Sequence, residues 1–350
     1  MKHRIALVGF GNVGQGLAEI LLDKREELKT RYGFEFDIVG ISDIAWGTVY
    51  KPDGLDIGAM LAAAKEKKKF SRDLKDWDAL TMIKESNATV VCEMAFTDLK
   101  TGEPAISNCK AAFAAGKHIV TSNKGPAALA YRELRDMAAK KGVRFMIEGT
   151  VMSGTPVLNL AEGPLAGCRI KAARGILNGT TNYILTQMEA GMAYEDALKK
   201  AQELGYAEAD PTGDVEGYDA RGKVTILANV VMNTSLKIED VACKGITQIT
   251  LSDIDKARKA GSRWKLIGSV KKEGDKITAA VAPEMLPLTH PLAGVMGTTN
   301  AITFTTDLLG EVSIVGPGAG RTETGFSILT DLLAIHRSWN CTSQPTNYTN

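Results

Sequence analysis

The chain has 350 residues, 44% hydrophobic and 24% charged, with 42 Lys and Arg against 41 Asp and Glu. At ~100–200 residues per domain this length implies two domains, each burying its own core, and excludes a small disulfide- or metal-stapled module. A net charge of +1 offers no field for a polyanion, and the one dense basic run, residues 65–69, is too short to create one, so nucleic acid and anionic membranes are not expected as partners.

In chain order, residues 5–8 are an all-apolar run of the kind found in strands buried on both faces of a parallel sheet. A glycine-rich turn follows, after which Val13, Leu17, Ile20 and Leu21 recur at helical spacing. Residues 36–41, 89–94 and 117–122 read as further strands, 104–115 and 131–141 as helices, and 143–147 as another strand. This alternation predicts an α/β fold, a Rossmann-type doubly wound parallel sheet over residues 1–148. Past Gly149 the chain is denser in Gly, Pro, Thr and Asn, and a second, α+β domain is expected over 149–317. In it, helices are expected at 194–204, 215–231 and 254–260, and strands at 244–250, 276–281 and 312–315. A Gly-rich turn at 316–320 leads into an amphipathic helix, about 318–340, that uses Phe326, Leu329, Leu333 and His336 and is expected to rejoin the first domain. The polar tail 341–350 reads as disordered.

Gly9-Phe10-Gly11-Asn12-Val13-Gly14 has the spacing G-x-G-x-x-G between a strand and a helix. Gly9 permits the tight turn, Gly11 lets backbone approach a pyrophosphate, Gly14 lets helix pack on strand, and the helix N-terminus attracts the phosphate charge. A dinucleotide is therefore the expected ligand. Asp43, ending the second strand, can accept from a ribose 2′-hydroxyl and would repel a 2′-phosphate, although the same residue could equally cap a turn. The choice between NAD and NADP stays open.

The stretch 201–223 carries Glu208, Asp210, Asp214, Glu216 and Asp219, followed by Lys223. Asp219 and Lys223 are four residues apart on a predicted helix and share a face, where the carboxylate favours the charged ammonium. A lysine held in this way can protonate a developing alkoxide and recover the proton in reverse. A solvated ion pair is the competing explanation, against which stands Gly222, costly inside a helix unless something packs closely on it.

This stretch, together with residues 175–185 (GILNGTTNYIL) and 121–124 (TSNK), resembles homoserine dehydrogenase, and the similarity extends over essentially the whole chain apart from the tail. The resemblance implies interconversion of L-aspartate 4-semialdehyde and L-homoserine with NAD or NADP, in threonine, methionine and isoleucine biosynthesis. It implies Lys223 as proton donor, Glu208, Asp214 and Asp219 as the substrate-binding acids, and Lys124 near nicotinamide and substrate. Anionic carboxylates suit a substrate that carries an ammonium group. Gly205 and Gly320 match positions where backbone lies against the cofactor. The resemblance also implies a monovalent cation, usually sodium, on Glu148 and the carbonyls near Val151, Ser153 and Thr155, and a homodimer paired through the second domain. Gly222 departs from the basic or larger residue common in the family. About thirty residues follow Gly320, too few for a regulatory domain, so no threonine feedback borne by such a domain is expected.

The five cysteines are scattered, forming neither a CxxC pair nor a disulfide framework, and read as free thiols of the cytoplasm. Glycines interrupt the apolar N-terminus, so no signal peptide is expected, and no run of ~18 apolar residues would span a membrane. His3, His118, His290 and His336 make no metal-ligand pattern. Two rivals follow. A phosphorylating aspartate-semialdehyde dehydrogenase needs a thiolate, for which only Cys92 lies near the expected cofactor edge, inside a strand. A non-catalytic dinucleotide-sensing regulator would leave the acids and Lys223 without a purpose.

Overall fold

The computed structural model describes residues 2–343. They form two compact units, one of the chain up to Thr150 together with that from Gly320 onward, the other Val151–Ala319.

The first unit begins with β1 (Lys2–Val8), α1 (Asn12–Asp23), α2 (Arg25–Tyr32), β2 (Glu35–Asp43), β3 (Gly47–Tyr50), α3 (Ile57–Lys65), β4 (Leu74–Lys75) and α4 (Ala79–Glu85). It continues through β5 (Val90–Glu93), α5 (Ala105–Ala114), β6 (His118–Thr121), α6 (Lys124–Leu129), α7 (Tyr131–Lys140) and β7 (Phe145–Met146). The strands form one sheet in the order β4-β3-β2-β1-β5-β6-β7. β2, β1, β5, β6 and β7 run parallel, as the alternating pattern predicts, and the order reverses at β1/β5. β3 and β4 extend the sheet antiparallel and were not legible, being too short to show a period. The apolar run of β1 divides as a doubly covered strand must. Ile5 and Leu7 join one core with Leu17 and Leu21 of α1, while Ala6 and Val8 join the other with Met82, Val91 and Phe113.

The second unit contains α8 (Leu158–Glu162), β8 (Ile170–Ile176), α9 (Gly179–Glu189), α10 (Tyr194–Glu203), α11 (Thr212–Val215), α12 (Tyr218–Val231), β9 (Ala242–Cys243), α13 (Leu251–Lys259), β10 (Ser262–Glu273), β11 (Lys276–Pro287), β12 (Thr299–Thr306) and β13 (Glu311–Pro317). Its sheet has the order β13-β12-β8-β10-β11-β9, antiparallel except where β9 meets β11. α12 packs on β10 and β11, with Val224 filling the space above Gly268.

The last helix, α14 (Arg321–Ser343), packs along α1 within the first unit, and Gly325 lets it approach so closely that a Cβ there would lie 2.6 Å from the backbone nitrogen of Leu17. Ile328, Leu332 and Ile335 complete the core under α1.

Three expectations need correction. Residues 244–250 are not a strand, because Ile246 N–H bonds the Val215 carbonyl at 2.8 Å and Thr250 caps α13 through Asp253 N–H, so the β-branched run is spent on loop contacts. The helix expected over 215–231 is broken at Gly217, whose left-handed φ of +82° ends α11 and starts α12. Of the tail expected to be disordered, residues 341–343 are helical; no Gly or Pro interrupts 326–343, and polarity alone does not stop a helix. Residues 344–350 lie outside the described residues.

Candidate active site

At the carboxyl end of β1 the three motif glycines take three different roles. Gly9 has φ +91°, and a Cβ there would lie 2.5 Å from the Met94 carbonyl oxygen. Gly14 packs against the Gly9 backbone, leaving no room for a side chain. Gly11 is exposed with nothing near its Cβ position, and it starts α1 without a side-chain cap. An uncapped helix N-terminus with open space in front of it is a fitting place for a pyrophosphate.

The turn is pinned from both sides. The Phe10 carbonyl accepts Gln15 Nε2 at 2.8 Å and Trp46 Nε1 at 3.2 Å, while the Phe10 ring is buried against Phe70. Phe10 therefore shapes the turn from within the core; Asn12 is exposed at the first position of α1, and Val13 is half-buried. Asp43 does what the turn-capping alternative describes. Its Oδ2 accepts Phe10 N–H at 2.6 Å and its Oδ1 accepts Ala45 N–H at 2.7 Å, so it locks the end of β2 to the Gly turn. Each oxygen keeps a lone pair for a ligand hydroxyl.

In the second unit the expected acid and lysine residues gather around one asparagine that sequence reasoning passed over. Lys223 is only 7% exposed, with Nζ donating to Asp219 Oδ2 at 2.6 Å and to the Leu177 carbonyl at 2.6 Å. Asn178 Nδ2 donates to Asp214 Oδ1 at 2.7 Å and to Asp219 Oδ2 at 3.0 Å. Its Oδ1 accepts Thr181 N–H at 2.9 Å, making Asn178 the N-cap of α9. Burial, and then the neighbouring Asp219, raise the Asp214 carboxyl above its ordinary range, opposed by the Asn178 amide. The break at Gly217 is what puts Asp214 on the turn before α12 and Asp219 in that helix's first turn, so both face one amide. The only sequence signal for Asn178 was its place directly before Gly-Thr-Thr, an N-cap pattern. Gly222 is buried inside α12, in keeping with close packing there.

The remaining expected residues are dispersed. Glu208 is exposed, and its carbonyl accepts Gln202 Nε2 at 3.1 Å. Gly205 is exposed at the end of α10 with φ +73°, and Gly320 precedes α14 with φ +135°. Lys124 opens α6 directly after its N-cap Asn123. Glu148 is 2% exposed, with its N–H on Asp331 Oδ2 at 3.0 Å. In the second unit Val151 and Ser153 are buried, Met152 and Ser153 have left-handed φ of 57° and 54°, and the Thr155 hydroxyl donates to the Pro317 carbonyl at 2.9 Å.

The thiolate mechanism has no support at Cys92, which is 0% exposed and whose thiol is pushed up by burial. The histidines are structural: His3 Nε2 meets His336 Nδ1 at 3.0 Å, His118 Nδ1 accepts Arg144 N–H at 2.9 Å, and His290 caps the turn at Pro291–Gly294.

Residues 9–148 match the family model described as "Homoserine dehydrogenase, NAD binding domain", and residues 156–333 match that described as "Homoserine dehydrogenase". The chain is 48% identical over 342 residues to an NAD(+)-dependent homoserine dehydrogenase of Pseudomonas canavaninivorans, covering 96% of this chain and 97% of that protein. It is 45% identical over 339 residues to a homoserine dehydrogenase of Methanocaldococcus jannaschii, covering 95% and 98%. The solved structure of a hyperthermophilic archaeal homoserine dehydrogenase in complex with NADPH is similar at TM-score 0.83 and 29% identity, covering 97% of this chain and 98% of that one.

Proposed function

The chain belongs to the homoserine dehydrogenase family, NAD(P)-dependent oxidoreductases acting on a CH–OH group, and on that premise we propose how its residues divide the reaction. The substrate pair is L-homoserine and L-aspartate 4-semialdehyde. When bound, the nicotinamide supplies the hydride to the aldehyde carbon and takes it back from the alcohol. The carbonyl electrons then pass to oxygen, and Lys223 gives that oxygen its proton. In the oxidative direction Lys223 receives the proton from the hydroxyl.

The observation that carries this reading is the confinement of Lys223. Two of its three N–H groups are held by Asp219 and Leu177, which fixes the direction of the third. Asp214, Asp219 and Glu208 supply negative charge for the substrate ammonium, and Lys124 acts at the reacting centre. The Gly9–Gly14 turn would hold the pyrophosphate, and Gly205 and Gly320 would lie with their backbone against the cofactor. The test is oxidation of L-homoserine by purified enzyme and by its Lys223→Ala variant. Loss of a positioned general acid–base lowers kcat by on the order of 10²–10⁴. Wild-type turnover at unchanged KM would sink the assignment.

NAD is the preferred dinucleotide in this reading, because Asp43 would face a 2′-phosphate with negative charge and the next residue, Ile44, is fully exposed and apolar. A higher kcat/KM with NADP would reverse it. A monovalent cation, sodium, rests on Glu148 and the carbonyls of Val151, Ser153 and Thr155; support comes from the burial of Glu148 and the left-handed turn at Met152 and Ser153. Equal activity in sodium-free and sodium-containing buffer would count against it.

Pairing into a homodimer through the second unit is supported by exposed apolar side chains, Val315 at 58% on the edge strand β13 and Leu308 at 72% and Leu309 at 60% in the turn that leads into it. Sedimentation as a single chain would refute it. Work in the cytoplasm, in threonine, methionine and isoleucine biosynthesis, fits the free thiols of Cys92, Cys109, Cys168 and Cys243. No helix among the described residues is long and apolar enough to cross a membrane.

A further inference from the structure

The end of β5 buries a carboxyl group that none of these assignments uses. Glu93 is 0% exposed, and its ladder neighbours are Val8 on β1 and Thr121 on β6. It therefore stands where the strand order reverses, next to the Gly turn, the place where doubly wound sheets take their ligands. Burying a carboxyl is costly unless hydrogen bonds offset the loss of water, so its partners matter.

Those partners lead directly to Lys124. Glu93 Oε1 accepts Ala95 N–H at 3.2 Å, and Oε2 lies 3.2 Å from the Thr121 hydroxyl. That hydroxyl also donates to the Glu93 carbonyl at 2.7 Å and accepts Asn123 N–H at 2.9 Å. Asn123 uses its Oδ1 to cap α6 through Gly125 N–H at 3.0 Å, and its Nδ2 to hold the carbonyls of Ala95 at 3.2 Å and Phe96 at 2.9 Å. One connected set of bonds thus runs from the Glu93 carboxyl to the residue before Lys124, and ties the loops after β5 and β6 together.

Counting protons shows what Glu93 contributes. The Thr121 hydroxyl has one proton and two acceptors on Glu93, the carbonyl and the carboxyl. When the carboxyl carries its own proton, it can donate to Thr121 Oγ1, and the hydroxyl then serves the carbonyl alone. Burial pushes the Glu93 carboxyl up to about 7, so this protonated form is well populated at neutral pH. The groups that face it from other elements are neutral polar or thiol: Asn108 and the buried Cys109 of α5, Thr121 of β6, and Asn123 of the following turn.

We infer that Glu93 is a positioning residue for the dehydrogenase reaction, acting through Thr121 and Asn123 to hold the loop that presents Lys124. The inference rests on the proposed role of Lys124 at the reacting centre.

The experiment is a kinetic comparison of Glu93→Ala, Glu93→Gln, Lys124→Ala and the double variant Glu93→Ala/Lys124→Ala, with thermal unfolding measured for each. Glu93→Ala is expected to lower kcat/KM for L-homoserine by on the order of 10- to 100-fold. Glu93→Gln, which keeps one acceptor for Ala95 and one donor for Thr121 and needs no titration, is expected to stay within about threefold of wild type. The double variant is expected to be no slower than Lys124→Ala alone, because both changes remove the same lysine from its place.

If Lys124→Ala is slow while Glu93→Ala stays within about twofold of wild type, or if the two losses multiply in the double variant, the inference about Glu93 falls and the reading of Lys124 stands. If Lys124→Ala itself stays within about twofold, both fall. Should Glu93→Ala fail to fold, Glu93→Gln decides: a loss of more than about tenfold in a folded isostere overturns the hydrogen-bond account.

Discussion

Asn178 offers the sharpest separation of stability from catalysis, because its two ends do different work. Its Oδ1 caps α9, and its Nδ2 holds Asp214 and Asp219. Loss of an N-cap side chain costs about 1 kcal/mol. Hydrogen bonds to charged groups contribute about 1.5–3 kcal/mol each, but the Asp219 side chain is 19% exposed, so water replaces part of what is lost and about 1 kcal/mol each is the better figure. Asn178→Ala should therefore lower stability by about 2–3 kcal/mol, which at about 2–4 °C per kcal/mol for a unit of this size is a fall in Tm of roughly 5–10 °C. Activity should fall by on the order of 10- to 100-fold, since Asp219 orients Lys223 and loses one of its own supports. Asn178→Ser is the decisive variant. Its hydroxyl can still cap α9, returning about 1 kcal/mol, but it is too short to reach either carboxylate, so kcat/KM should stay as low as in Asn178→Ala. Differential scanning fluorimetry and steady-state oxidation of L-homoserine measure the two effects. A serine variant that recovers kcat/KM to within about twofold of wild type would refute the reasoning.

Two further outcomes follow from the first unit. Gly11→Ala meets open space at an ordinary φ of −76°, so Tm should change by only about 2–4 °C, while a methyl group placed where the pyrophosphate must approach should weaken NAD binding at least about tenfold. An unchanged Kd in a fluorescence titration would move the dinucleotide elsewhere. The acid side of the stability profile should show opposing titrations. Burial lowers His3 and His118 to about 4, so below an unfolded value of 6.5 the unfolded chain binds protons first, and each histidine removes about 2 kcal/mol between pH 7 and pH 5. Glu93 is raised to about 7 and works in the opposite sense, its stabilisation growing by about 2 kcal/mol over the same interval. Urea unfolding should therefore show a loss from pH 7 to pH 5 that is about 2 kcal/mol larger in Glu93→Gln than in the wild type; equal losses would show that Glu93 does not titrate there.

Legibility followed the range of the interactions. The parallel strands of the first unit were readable because each is apolar on both faces, and α1 because its apolar residues keep one helical spacing. β3, β4, β8, β10 and β12 were not. Strands of two to four residues carry no period, and the longer ones mix polar and apolar residues because only parts of each are covered. The run 244–250 misled for a related reason: Ile246 and Ile249 are buried in a loop held by the Ile246 N–H on the Val215 carbonyl, and β-branched residues fit such a place as well as a strand.

By itself the sequence determined where backbone had to bend or come close, at Gly9, Gly11 and Gly14, and which residues could carry charge or a proton, at Asp214, Asp219 and Lys223. Both follow from covalent structure, the missing Cβ and the ionisable group, which no fold alters. Only the tertiary structure decided which of these groups face one another. The left-handed Gly217 turned Asp214 and Asp219 toward Asn178, the Leu177 carbonyl closed the cage around Lys223, and strand order carried Glu93 beside Thr121. Such pairings join residues dozens of positions apart, and a hydrogen bond depends on fractions of an ångström that folding alone sets.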